Sequence, residues 1–211
     1  MPLRNRGTPT GEIVADPGRG LVYANRGVLV DARGELRRRF AGRRWIACRL
    51  EFKGRRRAPL MAPGRYTELF FSDEASAFAA GHRPCGECRY EDYRRFSALW
   101  QSLHPGQVGA DAMDVQLHAE RVDPQTRGQR RHAMAVGDLP DGAFVLHDSR
   151  AWLVFGAELV QWTPAGYVAE RRRRPRSGMA MVLTPPSLVE VLGAGWDPEA
   201  VALLHPSAGP P

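Results

Sequence analysis

The sequence predicts an α+β fold, with a β-rich N-terminal part, a central zinc knuckle held by helices, and a β-meander with a short helix in the C-terminal part. Three observations carry this prediction. Short Val/Ile/Leu/aromatic runs broken by Gly, Asp and Asn occupy both ends of the chain, two helical patterns lie near its middle, and the pair Cys85-x-x-Cys88 sits between those helices. The expected division is residues 1–104, the β-rich region with the knuckle and an amphipathic helix, and residues 105–211, an α+β C-terminal part. No internal repeat or sharp change of composition separates them, so they are expected to pack as one unit.

The elements follow in order. GEIVA, LVYANRGVLVDARGEL and RRWIACRLEF read as strands, with Asn25-Arg26-Gly27 as a hairpin turn. Residues 53–65 form a basic, Pro/Gly-containing loop. YTELFF is the next strand, after which Ser72 caps a short helix, Asp73 and Glu74 favour its positive end, and Gly81 ends it. Tyr90, Tyr93, Phe96, Trp100 and Leu103 recur every three or four residues, which predicts an amphipathic helix over 89–103 whose aromatic stripe faces the core. DAMDVQLHAERV suits a helix, or a strand over its second half, and DPQTRGQRRH a second basic loop. GAFVLHD, RAWLVFG and AELVQWTP predict a three-strand meander, ERRRRPRSG a charged linker, MAMVLTPP a strand and SLVEVLGAG a short helix, before a tail rich in Pro, Ala and Gly.

Composition narrows the function classes. No apolar run approaches the roughly 18 residues of a bilayer-spanning helix, and the N-terminus has no apolar signal segment, so a cytoplasmic location without a membrane partner is expected. The formal charge is +7, and Lys53 is the single lysine among 30 basic residues. Arginine codon bias of a GC-rich genome explains part of that usage. The clusters Arg37–Arg39, Arg43-Arg44, Arg55–Arg57, Arg130-Arg131 and Arg171–Arg174 are nonetheless local positive patches, and guanidinium forks match phosphate oxygens.

Three cysteines make an odd number, and two lie three positions apart. That spacing lets two thiolates meet one metal through a tight turn, and it favours zinc over a disulfide framework. Cys48, on an upstream strand, is the third candidate ligand. A structural zinc site takes four. His82, His104, His118 and His132 are available for the last place; His118 leads because its semi-apolar segment can be buried, and His82 follows because it is near in sequence.

Phe70-Phe71, the segment from Ser72 to Gly81, and Arg83-Pro84-Cys85-x-x-Cys88-Arg89 together resemble the zinc-binding domain of Ada-type methylphosphotriester DNA repair proteins. The resemblance spans about residues 45–90. It implies a zinc site, contact with DNA and a setting in DNA repair. In that family the other two ligands are an upstream pair four residues apart, one of which accepts the methyl group. Cys48 matches one of them, but Arg44 and Phe52 stand four positions away, so methyl transfer is not carried over.

The expected function is a zinc-containing protein that binds DNA or RNA, with Arg55, Arg56, Arg57, Arg83, Arg89, Arg94 and Arg95 near the knuckle contacting phosphates. Whether it is an enzyme stays open. The alternative is a zinc-dependent hydrolase, deaminase or nuclease acting on a nucleobase or nucleic acid, with His118 and Glu120 as catalytic residues, because His118-Ala-Glu120 and Pro84-Cys85-x-x-Cys88 are the two halves of a zinc deaminase signature in reversed order. A scaffold for a protein partner is the third reading.

Overall fold

A computed structural model of the chain describes residues 1–55, 58–196 and 207. The elements are β1 (Arg4–Gly7), β2 (Ile13–Ala15), β3 (Val22–Asn25), β4 (Ile46–Cys48), β5 (Leu69–Phe71), α1 (Glu74–Ala79), β6 (Arg83–Pro84), α2 (Tyr90–Leu103), α3 (Ala110–Arg121), β7 (His132–Ala135), β8 (Phe144–His147), β9 (Arg150–Phe155), β10 (Glu158–Thr163), β11 (Gly166–Arg173), β12 (Met179–Val182) and α4 (Pro186–Gly193). They build two six-stranded sheets, ordered β2-β1-β5-β3-β4-β6 and β11-β10-β9-β8-β12-β7. The α+β expectation is met.

The first sheet is mixed, because β1 runs parallel to β5 and β4 parallel to β6 while its other neighbours are antiparallel. Strand β6 lies at its edge, where Pro84 withholds no ladder hydrogen bond. Two expectations are corrected here. Asn25-Arg26-Gly27 does not close a hairpin: β3 pairs with the distant β4 and β5, and the local reversal is the Val30–Leu36 bridge, turned on Asp31, whose carboxylate accepts from the Arg33 and Glu35 amides. The cap of α1 is Asp73 and not Ser72. Asp73 accepts from the Ser76 amide at 2.8 Å while Ser76 Oγ accepts from the Asp73 amide at 3.2 Å, a reciprocal capping box. Ser72 instead takes a hydrogen bond from Trp162 Nε1 on β10, and Tyr167 on β11 donates to Asp73, so the start of α1 is tied to the second sheet.

The second sheet is antiparallel throughout and contains the expected meander β8-β9-β10. The segment expected as a charged linker is a strand over its first four residues, 170–173. Arg171, Arg172 and Arg173 extend β11 along β10, opposite Val160, Leu159 and Glu158. An edge strand tolerates this charge because one row of its hydrogen-bonding groups faces solvent, and Arg171 is offset by Glu158 at 3.1 Å. The helices cover this sheet: Phe78 of α1, Phe96 and Trp100 of α2, and Met113 and Leu117 of α3 share one core with Trp152, Val154, Val182 and Leu188. Tyr90 alone of the aromatic stripe is exposed. Apart from Ser207, the Pro/Ala/Gly tail lies outside the described residues. No helix among the described residues is long and apolar enough to cross a membrane.

Candidate metal centre

Pairing of β4 with β6 assembles the cysteines. Ala47 opposes Pro84, and the Cys85 amide donates to the Ala47 carbonyl at 2.9 Å, so the residues following each, Cys48 and Cys85, emerge side by side. The chain then turns tightly, with the Arg89 amide reaching the Cys85 carbonyl at 3.2 Å, and brings Cys88 back just ahead of α2. The three Sγ atoms lie within 4.8 Å of one another, and no disulfide joins them. All three residues are buried, in a small cluster with Tyr23 and flanked by Ile46, Phe52 and Phe70.

The surroundings favour a thiolate at Cys85. The Glu87 amide donates to Cys85 Sγ and the Arg49 amide to Cys88 Sγ, each at 3.4 Å. Hydrogen bonds from the Cys48 and Cys88 thiols hold Cys85 well below the ordinary thiol range, and the hydrogen bond to Cys85 pushes Cys48 up. Three thiols this close cannot all ionise unless a cation joins them, and such a cation is what three soft sulfur donors bind. The group could hold a metal ion.

The sulfurs do not face the protein core alone. Cys48, Cys85 and Cys88 form part of the wall of an open cleft of about 790 Å³ that is also lined by Arg43, Arg44, Arg55, Phe52 and Tyr66. Arg55 pairs with Glu87 at 2.6 Å and Arg44 with Asp111 at 3.0 Å, both on the surface, and Arg43 has no carboxylate partner among the described residues. The ring of Tyr66 is exposed. Arg43 and Arg44 belong to a cluster visible in the sequence, but only the fold places them opposite the cysteines.

The other predicted site residues are placed differently. His118, on α3, packs its ring against Phe40 and Trp45 at 5.3 and 6.4 Å and lies outside the cysteine group. His82 is fully buried with both nitrogens engaged, Nδ1 with the Ala77 carbonyl and Nε2 with Arg26, so it has no lone pair left for a metal. His104 meets Glu190, and His132 meets the Glu120 carbonyl. Glu120 does not face His118 across a reaction site. Its carboxylate binds the Ser187 amide and hydroxyl at 3.0 and 2.6 Å, satisfying the free amides at the start of α4. His118 and Glu120 therefore do not converge with the cysteines as catalytic residues would.

Two predicted phosphate contacts are corrected by burial. Arg83 makes a two-pronged pair with Asp114 at 3.0 and 2.7 Å, and Arg89 is held between Glu74 at 2.5 Å and Asp92 at 2.8 Å. Both guanidiniums are inside the protein, where a buried charge needs a buried partner: Arg83 ties β6 to α3, and Arg89 ties the start of α2 to Glu74 of α1. Arg94 is exposed beside Glu91, Arg95 lies over Trp196 at 4.4 Å, and Arg56 and Arg57 lie outside the described residues.

His118 has a consequence for pH. Burial, with Arg121, Arg43 and Arg127 nearby, pulls its imidazole down to about 4. The unfolded chain takes up this proton as pH falls through about 6.5, while the folded chain resists until about 4, so stability present above pH 6.5 is lost across that window. Between pH 7 and 5 the urea midpoint should fall, and fall less steeply in His118→Gln. Parallel slopes for the two proteins would contradict this assignment.

Fold and site define a class of protein: an α+β chain carrying a buried group of three cysteines that could hold a metal ion. Comparison with protein-family models, with curated proteins and with solved structures finds no match to it.

Proposed function

We propose that the chain is a zinc-containing nucleic-acid-binding protein of DNA repair or processing, in which a strand lies along the arginine-lined cleft beside the cysteines. The observation that carries this reading is the shared wall: three thiols, three arginines and three aromatic rings line one cleft. Cys48, Cys85 and Cys88 would hold the zinc, a metal suited to thiolate donors, whose contribution is to tie β4, β6 and α2 together. Arg43, Arg44 and Arg55 supply the positive charge that a phosphate backbone requires, and Phe52 and Tyr66 offer π-faces on which bases can stack. The resemblance to Ada-type zinc domains supports the same reading.

Fluorescence anisotropy with labelled single-stranded DNA and RNA tests it. Affinity should drop steeply with added NaCl, and each of Arg43→Gln, Arg44→Gln and Arg55→Gln should lower the slope of log K against log salt by about 0.7. A salt-independent affinity, or no binding at low salt, removes the proposal.

A further inference from the structure

A second set of arginines, away from the cysteines, surrounds Trp45. Arg26 and Arg121 are both essentially inaccessible to solvent, and their guanidinium carbons lie 4.2 and 4.3 Å from the centre of the Trp45 ring. Neither forms an ion pair with a carboxylate among the described residues. Arg26 donates to His82 Nε2 and to the Gly11 carbonyl, and Arg121 donates to the carbonyls of Gly81 and Arg43. These partners are neutral. Isolated buried charge is among the costliest features a fold can carry, and burial drags both guanidiniums down to about 9. The indole face offsets part of the charge, but it gives the N–H groups no lone pair.

Three polar atoms here are left without a partner: Arg26 Nη2, Arg121 Nε and Gln129 Oε1. All three residues line one cavity of about 10 Å³, together with the surface residues Arg39 and Arg127. That volume takes the centre of a single oxygen-sized atom. Gln129 is oriented without ambiguity, because its amide nitrogen donates to the carbonyls of Pro9, Ala79 and Leu183, which leaves Oε1 as an acceptor. The carboxylates that act on the two buried guanidiniums are already engaged: Glu12 pairs with Arg39 at 2.8 Å, Asp114 pairs with Arg83 at 2.7 Å, and Glu120 is bound by Ser187. Four guanidiniums thus share this region, and none of those acids pairs with Arg26 or Arg121 among the described residues. A water would fill the cavity and bond to its wall, but it would cancel none of this charge.

We propose that the pocket formed by Arg26, Arg121 and Gln129, with Arg39 and Arg127 at its mouth, binds a phosphate group, one oxygen of which enters the cavity. Arg39 and Arg127 hold the remaining oxygens. Arg127 is set for this role by its place over the Phe40 ring, 4.5 Å from the centroid. The acceptor Gln129 Oε1 suits an oxygen that can carry a proton, as the monoanion of free phosphate or of a terminal phosphate monoester does, with a second pKa of about 6, and as an internal phosphodiester does not. The site stands independently of the cysteine cleft and of its metal.

Thermal unfolding in inorganic phosphate against chloride at matched ionic strength tests the proposal. Ten millimolar phosphate should raise the Tm of the unaltered chain by about 3 °C, and the Arg39→Gln/Arg127→Gln double variant should lose that increment. Both altered residues are at the surface, so the variant is expected to fold. An increment equal in phosphate and chloride, or one that survives in the double variant, overturns the proposal. Titration calorimetry of the unaltered chain with phosphate gives a second reading, in which heat no larger than dilution is equally fatal. Oligonucleotides with a 5′-phosphate or a 5′-hydroxyl then separate the sources. Binding about tenfold tighter with the phosphate assigns a nucleic-acid end, the worth of one charge-assisted hydrogen bond, whereas equal binding with the inorganic-phosphate shift intact assigns a free phosphate. Arg43→Gln and Arg44→Gln leave the phosphate shift unchanged, which keeps this site distinguishable from the cleft.

Discussion

A Cys85→Ser chain should lose its metal. The unaltered protein is expected to carry one zinc per chain, and the variant to bind it at least about 100-fold more weakly, since loss of a ligand exceeds the 10- to 100-fold effect of disturbing a residue that merely orients one. Cys85 bonds to both neighbouring thiols, as they do to each other, and also accepts from the Glu87 amide. Its position depends on the main-chain bond to Ala47, which a serine would keep. The backbone should thus stay in place while the third thiolate disappears. Elemental analysis gives the stoichiometry, and competition with a chromophoric chelator gives the affinity. A lower Tm on chelation of the unaltered chain, absent in Cys85→Ser, would tie the metal to the stability of the first sheet. A purified chain that carries no metal and gains none on zinc addition would end the metal reading.

The second large effect is expected at Arg89. Replacing Arg89 by Met should cost about 3–5 kcal/mol, because it strands the carboxylate of Glu74 in the interior. The two side chains are 2% and 1% exposed, and among the described residues only Arg89 and the more distant Trp196 indole, at 3.4 Å, meet the Glu74 carboxylate. Burial already pushes the Glu74 carboxyl up against the pull of Arg89. Removing the cation leaves only the Trp196 indole to oppose that push, so the carboxyl protonates or the core opens. Urea denaturation measures the cost. The double variant Glu74→Gln/Arg89→Met should recover part of it, since a neutral amide loses far less on burial than an unpaired charge. A loss below about 1 kcal/mol, the range of an exposed ion pair, would show that the pair is not buried in solution.

The central segment was the most legible part of the chain. Helices over 74–79 and 90–103, the buried Phe96 and Trp100, and the meander β8-β9-β10 all follow from periodicity and turn residues, which act over a few positions. Strands β1 and β7 were missed. RNRG and HAMA carry no apolar alternation, and each is a strand because a partner, β2 or β12, supplies its hydrogen bonds. The same holds for Arg171–Arg173, whose charge suggested a linker until Glu158–Val160 lay beside it. Asp73 against Ser72 as the cap of α1 was a one-residue choice between two good capping residues, decided by Trp162 and Tyr167 reaching across from the other sheet.

For the site, Cys85 and Cys88 were readable from spacing, and Cys48 from its type and its strand. Their meeting was not, because it depends on the parallel register of β4 with β6, two strands separated by β5 and α1 in sequence. Arginine was the hardest residue to read. Arg83 and Arg89, next to the knuckle, turn inward to Asp114 and Glu74, whereas Arg43 and Arg44, one of the local positive patches but not named as phosphate contacts, line the cleft.

By itself the sequence determined the α+β class, the central helices, the aromatic core of α2 and a pair of cysteines spaced for one metal, because each depends on neighbours within a turn or a strand. Only the tertiary structure decided that Cys48 meets that pair, which arginines are buried, and that Arg26 and Arg121 face one cavity across Trp45. The reason is physical. A guanidinium is equally at home in water, over an indole or against a carboxylate, and which of these it finds depends on partners brought together from distant parts of the chain.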